Sequence, residues 1–189
     1  PKRTIEQILT SCGGVLFYTN GQFNLKAAGF VSPAITLDEG DAIAGLQLQT
    51  KQSIRDNFNA VKGVFTPATT DYVAADYPAF RSSTFLAEDN NQLKFLEFNL
   101  PYTTSAAMAQ RLAKIALFRN RQQVVLNGTF NLKAFQLNVG DTVQITNSKF
   151  GFTNKIFEVA QWDIQADAGN VGVSLQLRET NSAVYDWNA

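Results

Sequence analysis

Histidine, the residue that most often begins a catalytic site, is absent from this 189-residue sequence. Its absence removes the commonest general base, the usual partner of a serine or cysteine nucleophile and the commonest nitrogen ligand for a metal. Ser-His-Asp and Cys-His sites are therefore excluded within these residues. Cys12 precedes Gly13 and Gly14 at the expected end of a helix, where the dipole disfavours a thiolate. A small buried apolar residue is the expectation there. Asp38, Glu39 and Asp41 do not follow the spacing of a calcium-binding EF-hand loop and read as an acidic turn. Glu88 with Asp89, and Asp163 with Asp167, could be posed as the paired carboxylates of a glycosidase, but such pairs are defined by separation in space. Turn residues are the plainer reading, and no glycine-rich phosphate loop is present. The sequence assigns no catalytic residue, no cofactor-binding residue and no metal ligand.

Arg111, Lys114, Arg119 and Arg121 make one helical segment basic toward its C-terminus. Interaction with the helix dipole and solvent accounts for this. The functional alternative is a cationic wall facing a channel that passes nucleic acid, where weak phosphate attraction is tolerable and tight binding is not. Phe150, Phe152, Phe157, Trp162, Tyr185 and Trp187 could stack on sugars, yet at strand spacing they read as core or subunit contacts.

The elements that must position these residues alternate between short strands and two helices. Ile5, Ile8, Leu9 and Cys12 fall at helical spacing, with Thr4 as N-cap and Gly13-Gly14 as the stop. Residues 15–18, Asn20-Gly21 and 23–27 read as a hairpin, because Asn-Gly supplies the positive φ angles of a type I′ turn. Residues 46–50 alternate as a half-buried strand, and 58–65 form another strand candidate. Residues 66–78 carry two prolines and read as an ordered surface loop. Residues 80–86 and 93–98, on either side of Glu88-Asp89-Asn90-Asn91, predict a second hairpin. Ser105 opens the best helix, near 105–120, with Ala109, Leu112, Ala113, Ala116 and Leu117 along one stripe. Strands return from Gln122 to Glu179, including VVL, FQL, TVQIT, KIFEVAQWDI and VGVSLQL, and Gly140-Asp141 is one of the turns between them.

Two octets stand out, NGQFNLKA from Asn20 and NGTFNLKA from Asn127. They are either the mark of a duplication or one hairpin solution used twice, and shared turn chemistry explains the identity without a shared site.

Composition sets the outer bounds. The formal charge is zero with 17% charged residues, so no global field recruits nucleic acid or an anionic membrane. Asn and Gln number 30 against 32 charged residues, a surface suited to contact with other subunits. One cysteine cannot form an internal disulfide, and no apolar run approaches the ~20 residues that span a bilayer. The only methionine is Met108, so the chain is expected to be a segment of a longer polypeptide.

The run TTSAAMAQRLAKIALFRNRQ, then LNVGDTVQI, GFTNKIFEVAQWDI and the closing SLQLRETNSAVYDWNA resembles the central tail hub proteins of long-tailed bacteriophages. This is the tail tip attachment, host specificity protein J-like family, with equivalents in prophages and gene transfer agents. TIEQILTSCGGVLFYTNGQFNLKAAG, FNAVKG and FRSSTFLAEDN fit the same family, so the resemblance covers nearly the whole chain. It implies an α+β, mostly antiparallel fold. A small helix-hairpin unit would occupy 1–36, and a tail-tube-like β-barrel with the long helix would occupy 37–189. It further implies a non-enzymatic homotrimer at the tail tip. Its partners would be a distal tail protein or tube ring, the tape measure protein, and tail fibre or receptor-binding parts, with DNA passing without specific binding. A carbohydrate-binding or carbohydrate-cleaving tail module, or a β-barrel that binds nucleic acid, are the alternatives from other classes.

Overall fold

The computed structural model describes residues 2–19, 21–53, 55–167 and 170–187. Helix α1 (Lys2–Cys12) begins two residues before Thr4, so that threonine lies inside it and not at its cap. It stops where Gly13 turns to φ +59°, with the Gly13 and Gly14 amides closing on Thr10 and Leu9 carbonyls. Strands β1 (Val15–Thr19) and β2 (Gln22–Lys26) pair antiparallel across Gly21, which sits at φ +77°. Asn20, the other half of that turn signal, lies outside the described residues, as do Asn188 and Ala189 of the closing motif.

The centre of the chain builds a second small layer from β5 (Ala60–Lys62), β6 (Val64–Phe65), β7 (Ala75–Asp76), β8 (Phe80–Arg81), α2 (Ser83–Glu88) and β9 (Phe95–Glu97). The strand expected over 58–65 breaks at Gly63. A side chain built there would lie 2.2 Å from the Phe98 carbonyl oxygen, so the chain can pass only as glycine. The hairpin expected over 80–98 is not formed. Ser82 caps the amide of Phe85 and starts α2 instead, and β8 and β9 lie on opposite sides of β5, the latter parallel to it. Against this layer packs α3 (Ala106–Arg121), capped by Ser105, with Ala109, Leu112, Ala113 and Leu117 buried together with Val61, Phe65, Tyr77 and Leu100. Helical spacing of apolar residues buries one stripe, which is what holds a helix of this length in place.

The main sheet takes β3 (Ile35–Leu37) and β4 (Gln47–Gln49) from early in the chain. Its other four strands are β10 (Val125–Phe130), β11 (Thr142–Asn147), β12 (Phe152–Asp167) and β13 (Asn170–Glu179). Their order is β3-β11-β12-β13-β10-β4. Of segment FQL, expected as a strand, Phe135 and Gln136 end a 3-10 helix over Leu132–Gln136 and Leu137 is its extended C-cap, the helix being started by the Asn131 side chain accepting from the Lys133 amide. Alternate residues of the long strands bury Leu126, Phe130, Val143, Ile145, Phe157, Val159, Val173, Leu175 and Leu177 as one core.

The expected β-barrel does not close among the described residues, because no pairing joins β3 to β4. The sheet is nevertheless strongly curved. Leu37 pairs with β11 at one edge and Ala42 bridges Phe130 at the other. Five residues reach at most ~18 Å, whereas six strands laid flat would separate those positions by roughly 24 Å. The gap is spanned by a loop. Asp41, nearly buried, stitches it by accepting from Asn131 Nδ2 at 2.9 Å and Lys133 Nζ at 2.7 Å.

Candidate assembly surface

No arrangement of acid, base and nucleophile emerges from the residues singled out by type. Glu39 accepts from Ser148, and those bonds, opposed by slight desolvation, hold its carboxyl below the ordinary value. Asp163 accepts from Gln161 Nε2 at 2.6 Å on the same strand, and the Asp167 side chain lies outside the described residues. Among the described residues no group of three or more His, Cys, Asp or Glu is placed to hold a metal. Cys12, expected to be buried, is exposed, its thiol donating to the Leu9 carbonyl at 3.2 Å. The short helix that carries it contributes no buried residue, so there is no core there for the thiol to join.

The four basic residues of α3 separate by role. Arg121 is 9% exposed and forks onto Asp89, while also donating to the Phe58 carbonyl and lying 4.9 Å from the Phe85 ring. Asp89 also accepts from Asn59 Nδ2 at 2.8 Å. The Arg121 bonds, then desolvation in opposition, then Asn59 leave the Asp89 carboxyl below its ordinary value. This pair ties α2 to α3. Arg119 meets Glu158 at 3.1 Å, and Lys114 donates to the Asp186 carbonyl beneath the Trp187 ring. Arg111 is exposed.

Gly140 and Asp141 form a tight turn in which Gly140 takes φ +84°. The Asn138 amide donates to Asp141 Oδ2 at 2.9 Å, and Asp141 lies 3.8 Å from Lys26 Nζ, which also donates to the Gly140 carbonyl. The acidic turn read in the sequence at 37–41 is related to it, although its glycine does not take a positive φ. The spacing Leu-x-x-Gly-Asp recurs at 37–41 and 137–141, with both leucines buried. In the earlier turn the Asp38 amide donates to Asp41 Oδ2 at 3.1 Å. Each turn receives the lysine of the octet belonging to the other: Lys26 reaches Asp141, and Lys133 reaches Asp41. Both pentads were legible in the sequence as a second repeat, and only their crossed pairing was not.

Between the α1-hairpin and the body lies a cavity of about 220 Å³, lined by Val15, Arg119, Glu158, Arg178, Glu179 and Thr180 among others. Burial, reinforced by Arg119, lowers the pKa of Arg178 from its ordinary value. A guanidinium remains charged under such a shift, so this seam holds buried charge beside apolar lining. The most exposed apolar side chains of the hairpin lie on its other face. Register places Leu16 opposite Leu25 and Tyr18 opposite Phe23, hence on one face of the hairpin. Exposures of 38%, 65%, 64% and 76% respectively show that this face is open.

Open apolar faces of this kind mark sites of interaction. A family model described as "Putative phage tail protein" (Phage-tail_3) matches residues 1–162. The chain belongs to that family. This tail protein also shares its fold with solved structures at low sequence identity. One is a chain of the virion of a native gene transfer agent particle, with TM-score 0.75, 14% identity, 98% of this chain covered and 40% of that one. Another is a tail protein from Neisseria meningitidis MC58, with TM-score 0.64, 16% identity, and 95% of this chain and 55% of that one covered. A third is the 43 kDa tail protein of prophage MuSo2 from Shewanella oneidensis, with TM-score 0.57, 15% identity, and coverage of 94% and 52%. The chain thus spans about half or less of the length of these proteins. No curated protein matches it in sequence.

Proposed function

We propose that this phage tail structural protein is a central hub of the tail tip, without catalytic activity. Copies of it form a trimer that closes or extends the tail tube around the channel used by the tape measure protein and DNA, and the longer protein carries the host-recognition parts. The observation that carries the reading is the open, curved sheet. It has the curvature of a barrel wall but ends in two edges, β3 and β4, each only three residues long. Unpaired edges are a liability in a solitary protein and a means of joining in a ring. The family membership and the likeness to a chain of a gene transfer agent virion support the same reading. Exposed asparagine, glutamine and threonine can satisfy hydrogen bonds at such joints without stripping water from ions.

Immunogold electron microscopy of purified particles, with antibody raised against this chain, tests it. Label confined to the distal end of the tail is the expected result. Label along the tube, or none on any particle, overturns it.

A further inference from the structure

The helix and hairpin at the start of the chain present two unlike sides. On the inner side Val15 lines the cavity that holds Arg119, Glu158 and Arg178, and Lys26 latches the hairpin to the Gly140-Asp141 turn. Their outer side presents Leu16, Tyr18, Phe23 and Leu25, the Tyr18 and Phe23 rings 5.0 Å apart. None of the four is charged.

A second uncharged face lies at the far end of the main sheet. Ile164 pairs with Val173 in register, and Val171 with Ala166, so these side chains continue the face that buries Val173 and Leu175. They run past the end of the core, which leaves Ile164 54% and Val171 51% exposed. Phe135, 56% exposed, stacks edge-on against Trp162 of the same face at 5.8 Å.

We propose that the Leu16, Tyr18, Phe23 and Leu25 face docks on the Phe135, Ile164 and Val171 face of a second copy of this chain, head to tail. This rests on the ring reading above and adds a side-chain contact to the joining of the β3 and β4 edges. Area decides for a pair of unlike faces within one chain. A buried aromatic side chain removes ~150–250 Å² from water, so the hairpin face offers on the order of 400 Å² and the sheet end roughly 300 Å². Each is about the apolar half of the ~800 Å² that one partner contributes to a stable interface. Two different faces per protomer are what a closed ring requires, because a face that met its own copy would stop at a twofold dimer.

Disulfide trapping in the full-length protein tests the contact, in a background from which every native cysteine of that protein, Cys12 included, has been replaced by serine. Phe23→Cys and Val171→Cys are made singly and together, and oxidised both as purified protein and in particles. The double variant is expected to give a covalent ladder. A mixture of the two single variants should give a covalent dimer and nothing larger, and each single variant alone should stay monomeric. Dimers from Phe23→Cys alone would mean that the hairpin meets itself, and the proposal falls. It falls equally if no variant is trapped in either sample. A chain found at the tail tip yet never trapped would remove this contact and leave the hub reading intact. A ladder from a chain that enters no particle would do the reverse.

Discussion

NGQFNLKA and NGTFNLKA differ at one position and are built into different surroundings, with only their third and fourth residues in strands in both. In the first, the glycine at φ +77° makes a turn with open space around it, Phe23 is 76% exposed and Leu25 continues a two-stranded hairpin. In the second, Asn127 and Gly128 lie inside β10, Asn127 paired to Gln47 on one side and to Gln176 on the other, and Phe130 is 1% exposed in the centre of the core. The expectation of one hairpin used twice is therefore wrong for the second copy. Asn-Gly favours a type I′ turn by about as much as a single backbone conformation is worth, whereas β10 gains ladder bonds on both edges and buries an aromatic ring. Local preference decides where tertiary contacts are few, and yields where they are many.

The widest gap between the octets is expected at their phenylalanines. Phe130→Ala should lower the unfolding free energy by ~3–5 kcal/mol, the range for emptying an aromatic site in a core. Phe23→Ala in the monomer should stay within ~0.5 kcal/mol of the parent. Urea titration of both variants checks this, and comparable losses would erase the distinction drawn here.

The glycines give a smaller and more pointed contrast. Asparagine tolerates left-handed backbone, so Gly21→Asn should change stability by no more than ~0.5 kcal/mol. Gly128→Asn would press on Leu46, whose Cδ2 already stands 2.2 Å from where a Cβ would be. Overpacking of that kind costs ~1–3 kcal/mol, readable as a drop in thermal midpoint for one variant only.

The smallest difference concerns the crossed lysines. Lys133 serves a carboxylate that is 12% exposed, while Lys26 serves one that is 34% exposed. Lys133→Met should cost about 1 kcal/mol and Lys26→Met less, since exposed pairs contribute little. The pH dependence carries a sign. Burial pushes the Asp41 pKa up, but Lys133, the Asp38 amide and Asn131 outweigh it, and the net value lies below the ordinary 3.8. Its contribution is then complete above pH ~4 and fades as pH falls through the lower folded value. Without Lys133 the folded pKa rises, so acid unfolding monitored by circular dichroism should begin at higher pH in Lys133→Met. An unchanged midpoint would show that Asn131 and the backbone suffice.

Legibility along the chain follows the same division. Helix α3 was readable because Ser105 caps it and its buried stripe repeats at helical spacing. The β1-β2 hairpin was readable because nothing competes with its turn. The sheet was readable as a set of strands, from the alternation in β12 and β13, but its order was not. β3 pairs in parallel with a strand more than a hundred residues later, and no periodicity encodes a partner. The α2 segment was misread because Phe80, Phe85 and Leu86 suit a strand by type, whereas Ser82 acts through a single hydrogen bond that only three-dimensional placement makes decisive. Of the assembly surface, the aromatic residues were visible as types. Which of them face outward was not, since alternation sets two faces without saying which is covered.

The origin of the two edge strands bears on how the protein comes to exist. β10 through β13 are contiguous in sequence and hold the sheet's centre, while β3 and β4, which complete it, are synthesised first. At translation rates of ~5–20 residues per second, β4 waits on the order of 10 s before the last residue of β13 leaves the ribosome. Over that interval the growing chain carries strand-forming segments with nowhere to pair, the situation in which neighbouring nascent chains on one messenger find each other. In the ring proposed above, the hazard of early pairing and the means of joining would be the same surface, separated only by time.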